Sequence, residues 1–174
     1  DPPVRWDDDE RWTGVLEADL GETFQVINEG LNGRTTVWDD PIEEYRCGKY
    51  HLPMLMDTAA PFELLIIFVG TNDLKMRFAL PAEDISRGAD LLVGQALADN
   101  ILQTHFSAMF GDSVERSAQV AGCYANVARN RGVAFLKADY IVQTSRLDGL
   151  HWDKDQHERF GHSMAQKVRE VLLL

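Results

Sequence analysis

The chain has 174 residues, 45% of them hydrophobic and 26% charged, with a formal net charge of −11 and a sequence pI of about 4.8. That size and apolar fraction predict one domain, 1–174, with its own core. The acidity, with no Lys/Arg cluster to offset it, argues against nucleic acid or an anionic membrane surface as a partner, and no apolar run reaches the ~20 residues that span a bilayer.

Cys47 and Cys123 fit no metal-ligand spacing and no disulfide framework. They lean towards a reducing compartment, so a cytoplasmic location is the expectation. Asp1-Pro2-Pro3 reads as mid-loop sequence without a signal peptide.

Residues 1–10 are polar, and Asp7-Asp8-Asp9-Glu10 read as a solvated loop or as the start of a helix, where carboxylates favour the dipole. Trp12, Val15, Leu16 and Leu20 recur at helical spacing, and Gly21 suits the position just past a helix end. Phe24, Val26 and Ile27 predict a short strand. In 28–36, Gly30 and Gly33 flank Asn32, a pattern for positive φ or close backbone approach. A backbone N–H left free in such a turn can face a developing negative charge; a plain turn fits the same residues. Residues 37–57 read as an irregular charged excursion in which His51 is structural or on the surface, and 52–58 predicts a helix.

Leu64 to Val69 is apolar without alternation, which predicts an inner strand of a parallel sheet covered on both faces. Gly70 breaks the run, and Thr71, Asn72 and Asp73 fall at the strand's carboxyl end, where open α/β sheets bind ligands. The same trio also suits an ordinary strand-to-loop turn. Pro81 with Glu83 and Asp84 predicts a helix start, and Ile85, Ala89, Leu92, Val93 and Ala96 give it a buried stripe. A helix over 114–130, a buried strand over 133–136 and an amphipathic helix over 157–174 follow. His157 and His162 face solvent or packing in that reading, and His105 has no context pointing to chemistry.

Asp148-Gly149-Leu150-His151 puts a carboxylate three residues before an imidazole on one turn. A general base needs one ring nitrogen held so that the other can accept a proton, and a fixed carboxylate does this. Taken alone, the spacing is more often coincidence.

Together these blocks resemble the SGNH, or GDSL, hydrolases: Gly70-Thr71-Asn72-Asp73, the turn from Asn28 to Gly33, and Asp148 to His151, in that order. Further text resembles the bacterial arylesterase/acyltransferase branch: Arg11 to Leu16, Glu29 to Thr36, Asp39-Asp40-Pro41 and Leu52-Pro53. The resemblance implies a three-layer α/β/α, flavodoxin-like fold with a parallel sheet. It implies a serine esterase acting on small carboxylic esters, aryl or alkyl, through an acyl-enzyme, with transfer to alcohols as a second outcome. Asn72 and Gly33 would donate to the oxyanion, His151 would be the base and Asp148 its orienting acid. No cofactor or metal is implied; the partner is a small-molecule ester, and the branch points to a homo-oligomer.

The family's nucleophilic serine, in its Gly-Asp-Ser-Leu block, is expected before Asp1. Gly111-Asp112-Ser113 is set aside as a substitute, because no buried strand is evident before it and it lies between the third and last blocks; Ser113 is expected to cap the following helix. The chain is likewise expected to lack the first strand and one strand between the helices near 85–100 and 114–130, with residues omitted near 99–103. Two rival readings are a catalytically inactive scaffold without the nucleophile and a flavodoxin-like nucleotide binder; the second is disfavoured by the absence of a Gly-rich phosphate loop.

Overall fold

The computed structural model describes residues 5–98, 104–108, 114–145 and 151–173, with backbone alone at 98, 104–108 and 114–118. Its contacts group into two compact units, one covering 29–137 and the other joining the segment up to 28 with the segment from 138 onward.

The larger unit carries a parallel sheet of β1 (Leu65–Phe68), β2 (Thr104–Ala108) and β3 (Ala134–Lys137), in that order. Ile67 pairs with Phe106, and Phe106 with Phe135. Around the sheet lie α2 (Gly48–Ala59), α3 (Ala82–Ala98) and α4 (Val114–Arg131). The α3 stripe is buried as expected: Ile85, Ala89, Val93 and Ala96 are inaccessible and Leu92 nearly so. Each large aliphatic side chain removed from water in this way contributes ~1.5–3 kcal/mol. Tyr124 and Val120 of α4 close the same cluster.

Three expectations need correction. The strand thought to be lacking is present as β2, in the middle of the described sheet. Its polar text, Thr104-His105-Phe106-Ser107, hides it from a hydrophobicity pattern, but backbone ladders to β1 and β3 define a strand whatever its side chains are. The segment 99–103, where an omission was expected, lies outside the described residues. β1, expected inside the sheet, pairs only with β2 among the described residues, so only Ile67 is fully buried while Leu65, Ile66 and Phe68 are half-buried. Residues 24–27, expected as a strand, run without a ladder; the Val26 N–H donates to Glu17 Oε2 at 2.9 Å instead.

Helix α2 begins four residues ahead of the expected 52. The reason is local: the Gly48 and Lys49 N–H groups donate to the Thr35 and Thr36 carbonyls at 3.1 and 3.0 Å, which satisfies donors that a helix start leaves open.

In the smaller unit α1 (Trp12–Leu20) packs on α5 (Lys154–Leu172). Gly21, at φ 90°, ends α1 where its sequence position suggested. Phe160, Met164, Ala165 and Val168 form the inner face of α5. Gly161 lets the helices touch, since a Cβ there would lie 2.6 Å from Val15 Cβ. Trp12 meets Phe160 edge-on at 5.4 Å.

His162 Nδ1 lies 2.6 Å from Asp19 Oδ2, and this bond raises the imidazole pKa above its ordinary value. A raised folded pKa means that the pair's stabilisation is full below about pH 6.5, the unfolded value, and is lost as pH rises through the folded one. Both partners are partly exposed, so salt weakens the effect. Asp19→Asn is expected to flatten the fall in melting temperature from pH 6 to 8; an unchanged slope would assign that fall to other groups.

Candidate active site

The site is built at the exit of β1. Gly70 has φ 120°, and a Cβ there would run into the Tyr124 hydroxyl. That hydroxyl donates to the Val69 carbonyl at 3.3 Å. Burial, and secondarily the Asp73 charge, raise the Tyr124 pKa, so the phenol stays a neutral donor. Gly70→Ala is expected to cost ~1–3 kcal/mol from backbone strain alone, with the steric conflict added. Urea unfolding measures it, and an unchanged midpoint would contradict this packing.

Residues Asn72–Leu74 then form a single 3-10 turn, with the Asp73 N–H on the Gly70 carbonyl and the Leu74 N–H on the Thr71 carbonyl, both at 3.2 Å. Consecutive residues of such a turn point about 120° apart. Asp73 and Leu74 go inward and are buried, while Asn72 stays half-buried. The Asn72 Nδ2 donates to the Arg34 carbonyl at 3.2 Å. A carbonyl can only accept, so this contact fixes which end of the amide carries the N–H groups. Nδ2 has two hydrogens, and the Arg34 bond uses one.

Asp73 accepts the Thr36 N–H on both carboxylate oxygens at 3.0 Å and the Thr36 hydroxyl on Oδ1 at 2.5 Å. Burial pushes its pKa up to about 6, with the Thr36 bonds opposing the shift. Its contribution to stability is therefore full below the ordinary Asp value of about 3.9 and lost as pH rises through about 6. At neutral pH the fold retains a buried carboxylate whose ionisation costs it stability.

Gly33, at φ 83°, lies in the turn tied to Asn72. A Cβ there would meet only the movable ends of Glu43 and Arg46, at 2.7 and 2.9 Å, so it is the left-handed backbone that disfavours a side chain. The turn is stitched to the 37–49 segment: the Thr35 N–H donates to the Arg46 carbonyl at 2.9 Å and the Thr35 hydroxyl to the Trp38 carbonyl at 2.6 Å. An ion cluster stiffens that segment. Asp40, its side chain fully enclosed, takes Arg77 at 2.5 Å, Lys75 at 3.3 Å and the N–H groups of Ile42 and Glu43. Burial alone would raise its pKa, but these donors hold it well below the usual carboxylate range. Lys75 and Arg77 reach Glu43 at 2.9 and 2.7 Å as well.

His151 belongs to the smaller unit and is exposed. Its carbonyl accepts the Ser145 N–H at 2.7 Å. Trp152, next in sequence, is buried against Phe160 at 4.9 Å and His157 at 5.5 Å. Asp148 and Ser113 lie outside the described residues. The other histidines have local duties. His157 Nδ1 accepts the Trp12 N–H at 3.4 Å, and burial lowers its pKa. His51 Nε2 sits 3.2 Å from the Tyr45 carbonyl. No three His, Cys, Asp or Glu cluster to hold a metal among the described residues.

Of the four residues expected from sequence, the structure thus brings the Gly33 turn and Asn72 together. It adds two that sequence reading missed as a pair, Thr36 and Asp73; the inward turn of Asp73 leaves no mark in the pattern of the polar trio.

The family model of the GDSL-like lipases and acylhydrolases matches residues 2–162. The chain belongs to that family. Solved structures agree with this. A carbohydrate acetylesterase from Sinorhizobium meliloti is 32% identical, with a TM-score of 0.93, over 98% of this chain and 90% of that one. An inhibitor-bound aryl esterase from M. smegmatis is 31% identical, with a TM-score of 0.93, over 98% of this chain and 89% of that one. No curated protein matched. The α/β fold with its parallel sheet is thus that of the GDSL hydrolases. One ground for setting Ser113 aside does not stand, because β2 precedes Gly111-Asp112-Ser113; its place between the family's third and last blocks is the ground that remains. No described helix of this GDSL-family chain is long and apolar enough to cross a membrane.

Proposed function

We propose that the chain is a serine esterase that hydrolyses small carboxylic esters, aryl or alkyl, through an acyl-enzyme. The observation that carries this reading is the Asn72 amide. The Arg34 carbonyl orients it beside the Gly33 turn and leaves it one N–H to donate. The name of one similar structure, a carbohydrate acetylesterase, supports a short acyl group, and that of another, an aryl esterase, supports aryl esters.

In the proposed reaction the serine oxygen attacks the acyl carbon while His151 takes its proton, and Asp148 stabilises the imidazolium. Charge builds on the former carbonyl oxygen, where the Asn72 amide and the Gly33 N–H donate. Collapse expels the alkoxide or phenoxide, which His151 protonates. Water, or an alcohol in its place, then attacks the acyl carbon with His151 again as base; collapse breaks the bond to the serine oxygen, which takes the proton back from His151, and the acid or new ester leaves. The serine is placed before Asp1 and not at Ser113.

A serine-directed phosphonate applied to the full-length protein tests this. A single adduct, mapped to a serine upstream of Asp1 and lost on competition with a short-chain ester, is the expected result. An adduct on Ser113 would overturn the assignment of the nucleophile. No adduct at all would favour the non-catalytic scaffold.

A further inference from the structure

We infer that Asp73 and Thr36 are positioning residues that set the spacing of the two oxyanion donors, the Asn72 amide and the Gly33 N–H. The inference rests on the esterase reading and goes beyond it, because neither side chain is itself offered to substrate: Asp73 is wholly buried and so is Thr36.

Asn72 and Asp73 are adjacent in a single 3-10 turn, so the orientation of one side chain dictates that of the other. Gly33 and Thr36 are three residues apart in one short segment. The two segments are otherwise remote in sequence, and the described hydrogen bonds crossing between them are those from Thr36 to Asp73 and from Asn72 to the Arg34 carbonyl. The first set is buried: the Thr36 N–H bridges both carboxylate oxygens and the Thr36 hydroxyl takes one of them. The second lies at the half-exposed edge where substrate would sit. Charge-assisted bonds in a dry setting are shorter and stiffer than neutral ones, and the 2.5 Å hydroxyl bond is of that kind.

Thr36 is braced from behind. The Lys49 N–H holds its carbonyl at 3.0 Å, and Gly88 of α3 lies so near its side chain that a Cβ there would collide with the hydroxyl. The clamp is therefore fixed to the helical layer on one side and carries the donor turn on the other. The carboxylate is also a costly way to hold two loops, since burial opposes its charge, with the Tyr124 phenol near it and Lys75 the nearby cation that eases it. A neutral amide would fill the same space without a buried charge, but only its oxygen could accept, so it could not take the Thr36 N–H on both arms. Retaining the charge is intelligible if the paired grip on the Thr36 N–H and hydroxyl is what matters.

The test compares steady-state kinetics of full-length variants on a short-chain aryl ester at pH 8, where Asp73 is ionised. Asp73→Asn is expected to lower kcat ~10-fold, the scale of one charge-assisted hydrogen bond, with KM changed less than ~2-fold and no fall in melting temperature. Thr36→Val is expected to lower kcat to the same extent, with a lower melting temperature because the buried carboxylate loses a donor, and Thr36→Ser, which keeps the hydroxyl, to restore kcat to within ~2-fold. Combining Asp73→Asn with Asn72→Ala should cost no more than ~3-fold beyond Asn72→Ala alone, because residues that act through one another do not multiply. A kcat loss in Asp73→Asn that comes with a lowered melting temperature, losses that multiply with Asn72→Ala, or a loss that Thr36→Ser fails to rescue would overturn the positioning role. Full activity in Asn72→Ala would instead remove the oxyanion reading itself, so the two failures are told apart.

Discussion

Replacing His151 with alanine is expected to lower kcat by roughly 10⁴-fold or more, the scale on which losing one member disables a catalytic triad. That corresponds to about 5 kcal/mol of transition-state stabilisation. The loss is large because the imidazole acts twice, taking the proton from the serine and then from water. The fold should not notice. The residue is exposed, and such substitutions usually stay within ~0.5 kcal/mol. Its backbone carbonyl, bound to the Ser145 N–H, and the buried Trp152 beside it both survive the change. Circular dichroism and the urea midpoint should match the parent protein. Ester hydrolysis within ten-fold of the parent would end the assignment of His151 as base.

The second large effect is expected at Asn72. Asn72→Ala should lower kcat by ~10²–10³-fold, as losing one oxyanion donor typically does, and leave KM nearly unchanged. A ground-state ester carbonyl carries little charge, so the amide gives most of its binding only as the oxygen becomes anionic. The Arg34 carbonyl also loses its partner in this variant, but it lies at the half-exposed rim, where water can replace the amide. Asn72→Asp serves as a control. It keeps the shape but turns an acceptor towards the Arg34 carbonyl, so it should be at least as inactive. A rise in KM with kcat unchanged would show that Asn72 binds substrate without stabilising the transition state. No comparable deletion exists for Gly33, whose proposed contribution is its backbone and whose φ of 83° strains any side chain put there.

Much of the fold was legible because its signals are local. The stripe Ile85, Ala89, Leu92, Val93 and Ala96 marks α3 by periodicity, and Gly21 marks the end of α1 by its backbone freedom. β2 was illegible for the opposite reason. Thr104-His105-Phe106-Ser107 has no strand pattern, and only its neighbours on both sides make it one. The reverse error befell residues 24–27, whose β-prone text has no ladder in the described structure. At the candidate site, residue types and spacing picked out Gly33, Asn72, Asp148 and His151 through the family resemblance. They did not show that Asp73 turns away from Asn72 to grip Thr36, nor that Asp40 gathers Lys75 and Arg77 under the 37–49 segment. Those are long-range pairings, and no sequence period encodes them.

The bare contact at Gly161 reaches further than helix packing. Val15 and the Trp12 carbonyl press on it directly, so even one added methyl would lever the start of α1 outward. The Trp12 N–H is the donor that His157 Nδ1 holds, and His157 in turn leans on Trp152, the residue after the proposed base. A substitution some ten residues downstream on α5 would thus be felt at the imidazole as a shift in its footing. An engineer seeking to stiffen this helix pair should leave that glycine alone.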